Sequence, residues 1–300
     1  MKRKLFSPRT DWQLEHQKIG FDYFNLPSLD GSIYWSEGVA YEFTLKQIEQ
    51  LEDAANELHQ MCLAVVGDLI QRGDYPNYFQ IPQAAIPHIE HSWRRNSPML
   101  YGRFDFAYDG LQIKMLEYNA DTPTGLLEAS VAQWLWIEQV SGIPNRDQFN
   151  SIHEDLIKRW KTILPRGSHL HFAACQEAGR EDWGNLEYLM DTAFQAHLQV
   201  SELSMENIGW NGQSFVDLNN RPIQNLFKLY PWEWIWEESF AQYLQPETNW
   251  IEPCWKMLLS NKAILVELWK RYPNHPLLVE TYAYDPEQNF SGKWVKKPIL

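Results

Sequence analysis

Residues 44–73 leave the chain few options. Leu45, Ile48, Leu51, Ala55, Leu58, Cys62, Val65 and Leu69 fall on one stripe at helical spacing. Thr44 can cap the first turn, with Gln47 three residues on completing a capping box, and Gly73 supplies the stop. A long helix with one apolar side must lie on another layer of structure. The remaining pattern offers that layer. Residues 101–118 read as a hairpin turning at Asp109-Gly110. Helices are expected at 125–140 and 147–164. Residues 169–175 and 198–203 read as strands joined by a helix at 183–196, which predicts a parallel pair. A second hairpin is expected at 215–229 with its turn at Asn219-Asn220. Helices follow at 232–244 and 261–271, and strands at 277–282 and 293–299. Residues 1–43 read as irregular, apart from a short strand at 32–35. Strands and helices mix throughout, which predicts an α/β or α+β fold.

The 300 residues suffice for one large domain or two ordinary ones, and 44% of them are hydrophobic, a globular composition. The formal net charge of −13 has the wrong sign for a nucleic-acid binder, which must offset phosphate charge with Lys and Arg. It equally disfavours an anionic membrane surface and suits a small cationic substrate. No apolar run follows the N-terminus or is long enough to span a membrane. Cys62, Cys175 and Cys254 are odd in number and far apart, as expected of reduced thiols in a cytoplasmic protein. His153, His171 and His197 are isolated and read as core or solvent-facing residues.

The chemistry concentrates in residues 101–124. Successive strand residues alternate faces, so Arg103 and Asp105 share one face of the first strand and Glu117 and Asn119 one face of the second. A three-residue loop, Tyr108-Asp109-Gly110, would put Asp105, Met115, Glu117 and Asn119 on a common face. A two-residue loop would turn Glu117 away. The hairpin is therefore expected to have an odd-numbered loop. Asp, Glu and Asn oxygens suit Mg²⁺, and an adjacent Arg suits a phosphoryl group. The Thr122-Pro123-Thr124 corner places hydroxyls and free N–H groups just beyond. On the residues alone, a structural turn and a metal–phosphate site both remain open.

The motifs Arg103-Phe-Asp105 and Leu116-Glu-Tyr-Asn-Ala-Asp-Thr-Pro-Thr124 resemble the signature of the glutathionylspermidine synthase-like ATP-grasp synthetases. So do Phe227-Lys-Leu-Tyr-Pro-Trp-Glu-Trp234, Glu252-Pro253, Ser260-Asn-Lys-Ala-Ile-Leu265, Tyr272-Pro-Asn-His275 and Val295-Lys-Lys-Pro298. The resemblance implies an ATP-grasp-like α/β synthetase with mixed sheets flanked by helices. Residues 1–230 would form the synthetase core, and 231–300 the start of the nucleotide-binding lid region. In the family a Gly-rich loop follows the position of Leu300, so the ATP-grasp part is expected to be incomplete here. Residue by residue, Arg103 would steady the transferring phosphoryl group, with Arg103, Phe104, Asp105, Lys262 and Lys297 contacting ATP. Asp105, Glu117 and Asn119 would hold Mg²⁺. Thr122, Thr124, Glu181 and Asp182 match substrate-binding positions, although Asp182 also reads as a helix N-cap. The implied function is ATP-dependent amide formation between an acid and an amine through an acyl phosphate. The alternative is a non-catalytic protein of the same fold that binds a small cationic ligand.

Overall fold

The computed structural model describes residues 1–27, 31–143, 146–244, 247–285 and 292–299. The long helix spans Leu45–Arg72. Thr44 Oγ1 accepts the Gln47 N–H at 3.3 Å, and Gln47 Oε1 accepts the Thr44 N–H at 3.1 Å. Gly73 ends the helix at φ 61°, in the left-handed region where a Cβ is unfavourable. The buried side runs from Ala54 to Ile70. Leu45 is 74% exposed, so the apolar stripe meets the core only after the first turns. There the helix packs on another at Ile264–Arg271.

Four strands form the central sheet, in the order Asn249–Ile251, Asn225–Leu229, His169–Ala174, Gln199–Ser204, and every pairing is parallel. The expected strand–helix–strand unit is present, its helix spanning Arg180–Gln195. Asn225–Leu229 is not the second arm of a hairpin. All five of its residues are buried, and such an unbroken buried run belongs inside a parallel sheet covered on both faces. The turn near Asn219-Asn220 is local: Asp217 Oδ1 accepts the Asn219 and Arg221 N–H groups, and Ile223 N–H returns to the Phe215 carbonyl.

Neighbouring residues of the central strands feed two cores. Ala173 and Leu226 join the cluster under the long helix, while Phe172, Ala174 and Phe227 join the one built on Trp160, Leu189 and Phe21. Three expected strands are absent: residues 32–35, 277–282 and 293–299 form none. The strand Asn249–Ile251 was not foreseen, nor were two antiparallel pairs, of which one sets Gly209–Trp210 against Phe215–Val216. In the other, Lys2–Leu5 runs antiparallel to Val39–Glu42, and the first of these is wholly exposed, with no alternation to betray it. The helix expected from 147 begins at Ile152, and that expected over 232–244 is two short pieces, Trp232–Glu237 and Ser239–Tyr243.

Gly184 lies inside the Arg180–Gln195 helix because the Tyr23 ring presses against it. A Cβ there would come within 2.4 Å of a ring carbon, and Tyr23 is only 3% exposed. Gly184→Ala should therefore destabilise the fold by about 1–3 kcal/mol, the overpacking cost exceeding alanine's helix advantage. Urea unfolding reads this directly, and an unchanged or raised midpoint would contradict the close approach.

Candidate active site

The hairpin pairs Arg103–Tyr108 with Ile113–Asn119. Its tip holds four residues, Asp109 to Gln112, rather than the expected three. Asp109 organises the tip by accepting the Leu111 and Gln112 N–H groups at Oδ1. An even loop alone would set Leu116 opposite Asp105 and turn Glu117 inward. A bulge between Asp105 and Phe106 corrects this, so that Asp105 faces Glu117 and Arg103 faces Asn119. Leu116 is the extra residue and is 38% exposed. Below the bulge Ile113 and Met115 point into the core; above it Tyr118 and Ala120 do. Met115 thus leaves the face it was expected to share with Glu117.

Four of the anticipated side chains converge with two distant lysines. Arg103 Nε donates to Asp105 Oδ1 at 2.9 Å, and Arg103 Nη1 donates to the Thr124 carbonyl at 3.2 Å. Burial works against the Arg103 charge, but the Asp105 and Glu117 carboxylates outweigh it and raise its pKa. Asn119 Nδ2 donates to Glu117 Oε1 at 3.3 Å. Lys262 Nζ and Lys297 Nζ each lie 3.9 Å from Glu117 Oε2. Lys297 arrives without a strand: its segment is tied in where the Lys262 N–H donates to the Ile299 carbonyl at 3.2 Å. Phe104 faces away, its ring stacked 3.8 Å from that of Tyr118.

Beside this face stands an acidic, tyrosine-rich wall. Thr124 Oγ1 donates to Glu181 Oε1 at 3.0 Å, and Tyr34 donates to Glu128 Oε1 at 2.6 Å. The second oxygen of Glu128 is buried and has no hydrogen-bond partner among the described residues. Asp182 is not an N-cap. Gly179 takes that position, and Asp182 sits in the first turn, its pKa raised by burial and then by the Glu181 charge. Thr122 lies half-buried at the corner. Tyr34 and Glu128 were missed because neither belongs to a motif around the hairpin.

Beneath the hairpin, two buried ion pairs hold its ends. Lys228 Nζ lies 2.6 Å from Asp121 Oδ1, and Asp121 Oδ2 accepts the Trp232 N–H at 2.9 Å. Glu252 accepts the Leu100 and Tyr101 N–H groups at Oε1 and pairs with Lys256 at 2.5 Å. Glu233 lies nearby, its Oε1 buried and without a hydrogen-bond partner among the described residues. Burial, then the Asp121 charge, pushes its pKa up to about 7. The folded state therefore binds a proton that the unfolded chain releases near 4.5. This stabilising contribution is present below about pH 4.5 and is lost as the pH rises through about 7. Wild type minus Glu233→Gln, followed by urea unfolding from pH 5 to 8, should lose up to about 3 kcal/mol. A flat difference would remove the assignment.

As a donor set, Asp105, Glu117 and Asn119 offer hard oxygens on one face. Among the described residues no cluster of three or more His, Cys, Asp or Glu could hold a metal ion. A cation here would rest on two carboxylates, one amide oxygen and ligand phosphates. That is a poor site for zinc and a good fit for Mg²⁺, which keeps few protein ligands. Among the described residues no helix is long and apolar enough to cross a membrane.

A family model described as the glutathionylspermidine synthase preATP-grasp matches residues 3–300. A Haemophilus influenzae protein with a provisional acid–amine ligase name is 53% identical over 308 residues, covering 100% of this chain and 78% of that protein. Trypanothione synthetase of Crithidia fasciculata is 27% identical, covering 87% of this chain and 43% of its own length. The bifunctional glutathionylspermidine synthetase/amidase of Escherichia coli is 26% identical, covering 86% of this chain and 46% of its own length. The chain thus spans less than half of these last two proteins.

Proposed function

Because this chain belongs to the glutathionylspermidine synthase preATP-grasp family, we propose that it forms the metal–phosphate face of an ATP-dependent, amide-forming ligase. The observation that carries this reading is the meeting of Lys262 and Lys297 at one oxygen of Glu117, on the face that presents Arg103, Asp105 and Asn119. A carboxylate flanked by three cations, with a second carboxylate opposite, suits a site that takes up a polyphosphate together with its Mg²⁺.

In this reading Lys262 and Lys297 swing from Glu117 to phosphate oxygens, and Arg103 neutralises the phosphoryl group in flight. Asp105, Glu117 and Asn119 would hold Mg²⁺, which lowers the charge repulsion between nucleotide and acid. The substrate carboxylate attacks the terminal phosphorus, ADP departs, and an acyl phosphate remains. The amine nitrogen then attacks the acyl carbon, the bond to the phosphate oxygen breaks, and the nitrogen loses a proton to give the amide. The protein's share is chiefly positioning and charge neutralisation. The wall of Glu181, Glu128 and Asp182 suits the cationic part of a polyamine-like amine, with a short peptide as the acid. That wall also favours the second reading, a non-catalytic protein that binds a small cation.

The two separate in one assay. The full chain is incubated with Mg²⁺, ATP, a panel of short peptides and a panel of polyamines. ADP and amide should rise together only when acid and amine are both present. Polyamine binding without ADP release under any combination would favour the second reading and end the first.

A further inference from the structure

Lys262 and Lys297 reach Glu117 from segments without regular secondary structure, so something else must aim them. Ser260 Oγ accepts the Ala120 N–H at 3.0 Å and the Asp121 N–H at 2.7 Å, the two amides that follow Asn119. Asn261 is 1% exposed. Its Nδ2 donates to the Phe79 carbonyl at 2.9 Å, and its Oδ1 accepts the Ala263 N–H at 2.9 Å, just ahead of the Ile264–Arg271 helix. The next residue's N–H holds the Ile299 carbonyl, and with it the segment bearing Lys297. One turn earlier, Lys256 Nζ donates to the Tyr101 carbonyl at 2.5 Å, at the entry to the first strand. Residues 252–262 therefore grip both open ends of the hairpin.

We infer that Ser260 and Asn261 are positioning residues that aim both lysines at Glu117 from one mount. Ser260 fixes the mount to the carboxylate strand, and Asn261 fixes it to the body of the protein. Neither side chain needs to touch a ligand. The geometry stands on its own; only its consequence for nucleotide binding rests on the ligase reading above.

The test compares crystal structures of the full wild-type chain, Ser260→Ala and Ser260→Thr, together with calorimetric titration of ATP and Mg²⁺. In Ser260→Ala, Lys262 Nζ and Glu117 Oε2 should separate by more than about 1 Å beyond the wild-type distance, and ATP affinity should fall about tenfold. Ser260→Thr keeps the hydroxyl and should restore both. Asn261→Ser retains an acceptor for Ala263 but loses the bond to Phe79, and it serves if the alanine variant does not fold. It should displace both lysines by a smaller amount. Lysines unmoved in a folded variant would overturn the inference, even if stability fell. Should wild type bind no ATP, the ligase reading fails, while the lysine separation still decides this one.

Discussion

Glu117→Gln is expected to cut ADP release by about 10²–10³-fold, the usual cost of losing one preorganised electrostatic contact at a reacting centre. The replacement keeps the side chain's size, so the loss isolates the charge. Glu117 sits opposite Asp105, accepts from Asn119, and faces two ammonium groups. Without its charge, Lys262 and Lys297 face each other with only a neutral amide between them. Lys297→Ala should cost less than Glu117→Gln, because that lysine is the more exposed of the two. Turnover of Glu117→Gln within tenfold of wild type would show that the convergence on this carboxylate is incidental to the chemistry.

Lys228→Met is expected to cost about 3–5 kcal/mol of folding free energy, because it strips a buried carboxylate of its counter-ion. Lys228 and Asp121 are essentially inaccessible, with side-chain exposures of 0% and 2%. The ammonium also donates to the Tyr230 carbonyl at 3.0 Å and lies 4.8 Å above the Trp232 ring. Methionine fills most of the space, so the penalty reads the orphaned Asp121 charge rather than a cavity. Adding Asp121→Asn should recover much of it, since a neutral amide can still accept the Trp232 N–H. Urea unfolding of the two single variants and the double variant completes the cycle. A double variant no more stable than Lys228→Met would show that volume, not charge, dominates.

The sequence revealed what is periodic or capped. The long helix was legible from Thr44, Gln47, the apolar stripe and Gly73, and the parallel pair from apolar runs around a helix. Asn225–Leu229 was misread because its pairing with His169–Ala174 is set by tertiary contact, whereas the turn at Asn219-Asn220 is real but returns only as far as a bridge between Val216 and Pro222. Residues 277–282 carry strand-like composition but contribute single bonds instead, such as the Leu277 carbonyl that accepts the Met115 N–H at 2.8 Å. Within the site, the hairpin face was predictable from alternation, but its loop was not. The signal was there: Met115-Leu116 puts two apolar residues side by side, after which the inward positions shift from odd to even numbers. Lys262 and Lys297 have no local signature. Only the resemblance pointed to them, since what brings them to Glu117 is spread over Ser260, Asn261 and Ile299.

The bulge at Leu116 also divides the hairpin's freedom to change. The ribbon answers to the core on both sides of it, through Ile113 and Met115 below and Tyr118 and Ala120 above; only above it does the opposite face carry the charged cluster. Because Arg103, Asp105, Glu117 and Asn119 all lie above it, a lineage could rebuild the tip for packing while leaving the charged half unaltered. Drift at Asp109 to Gln112 and constancy from Glu117 to Asp121 would then be two independent histories written on one pair of strands.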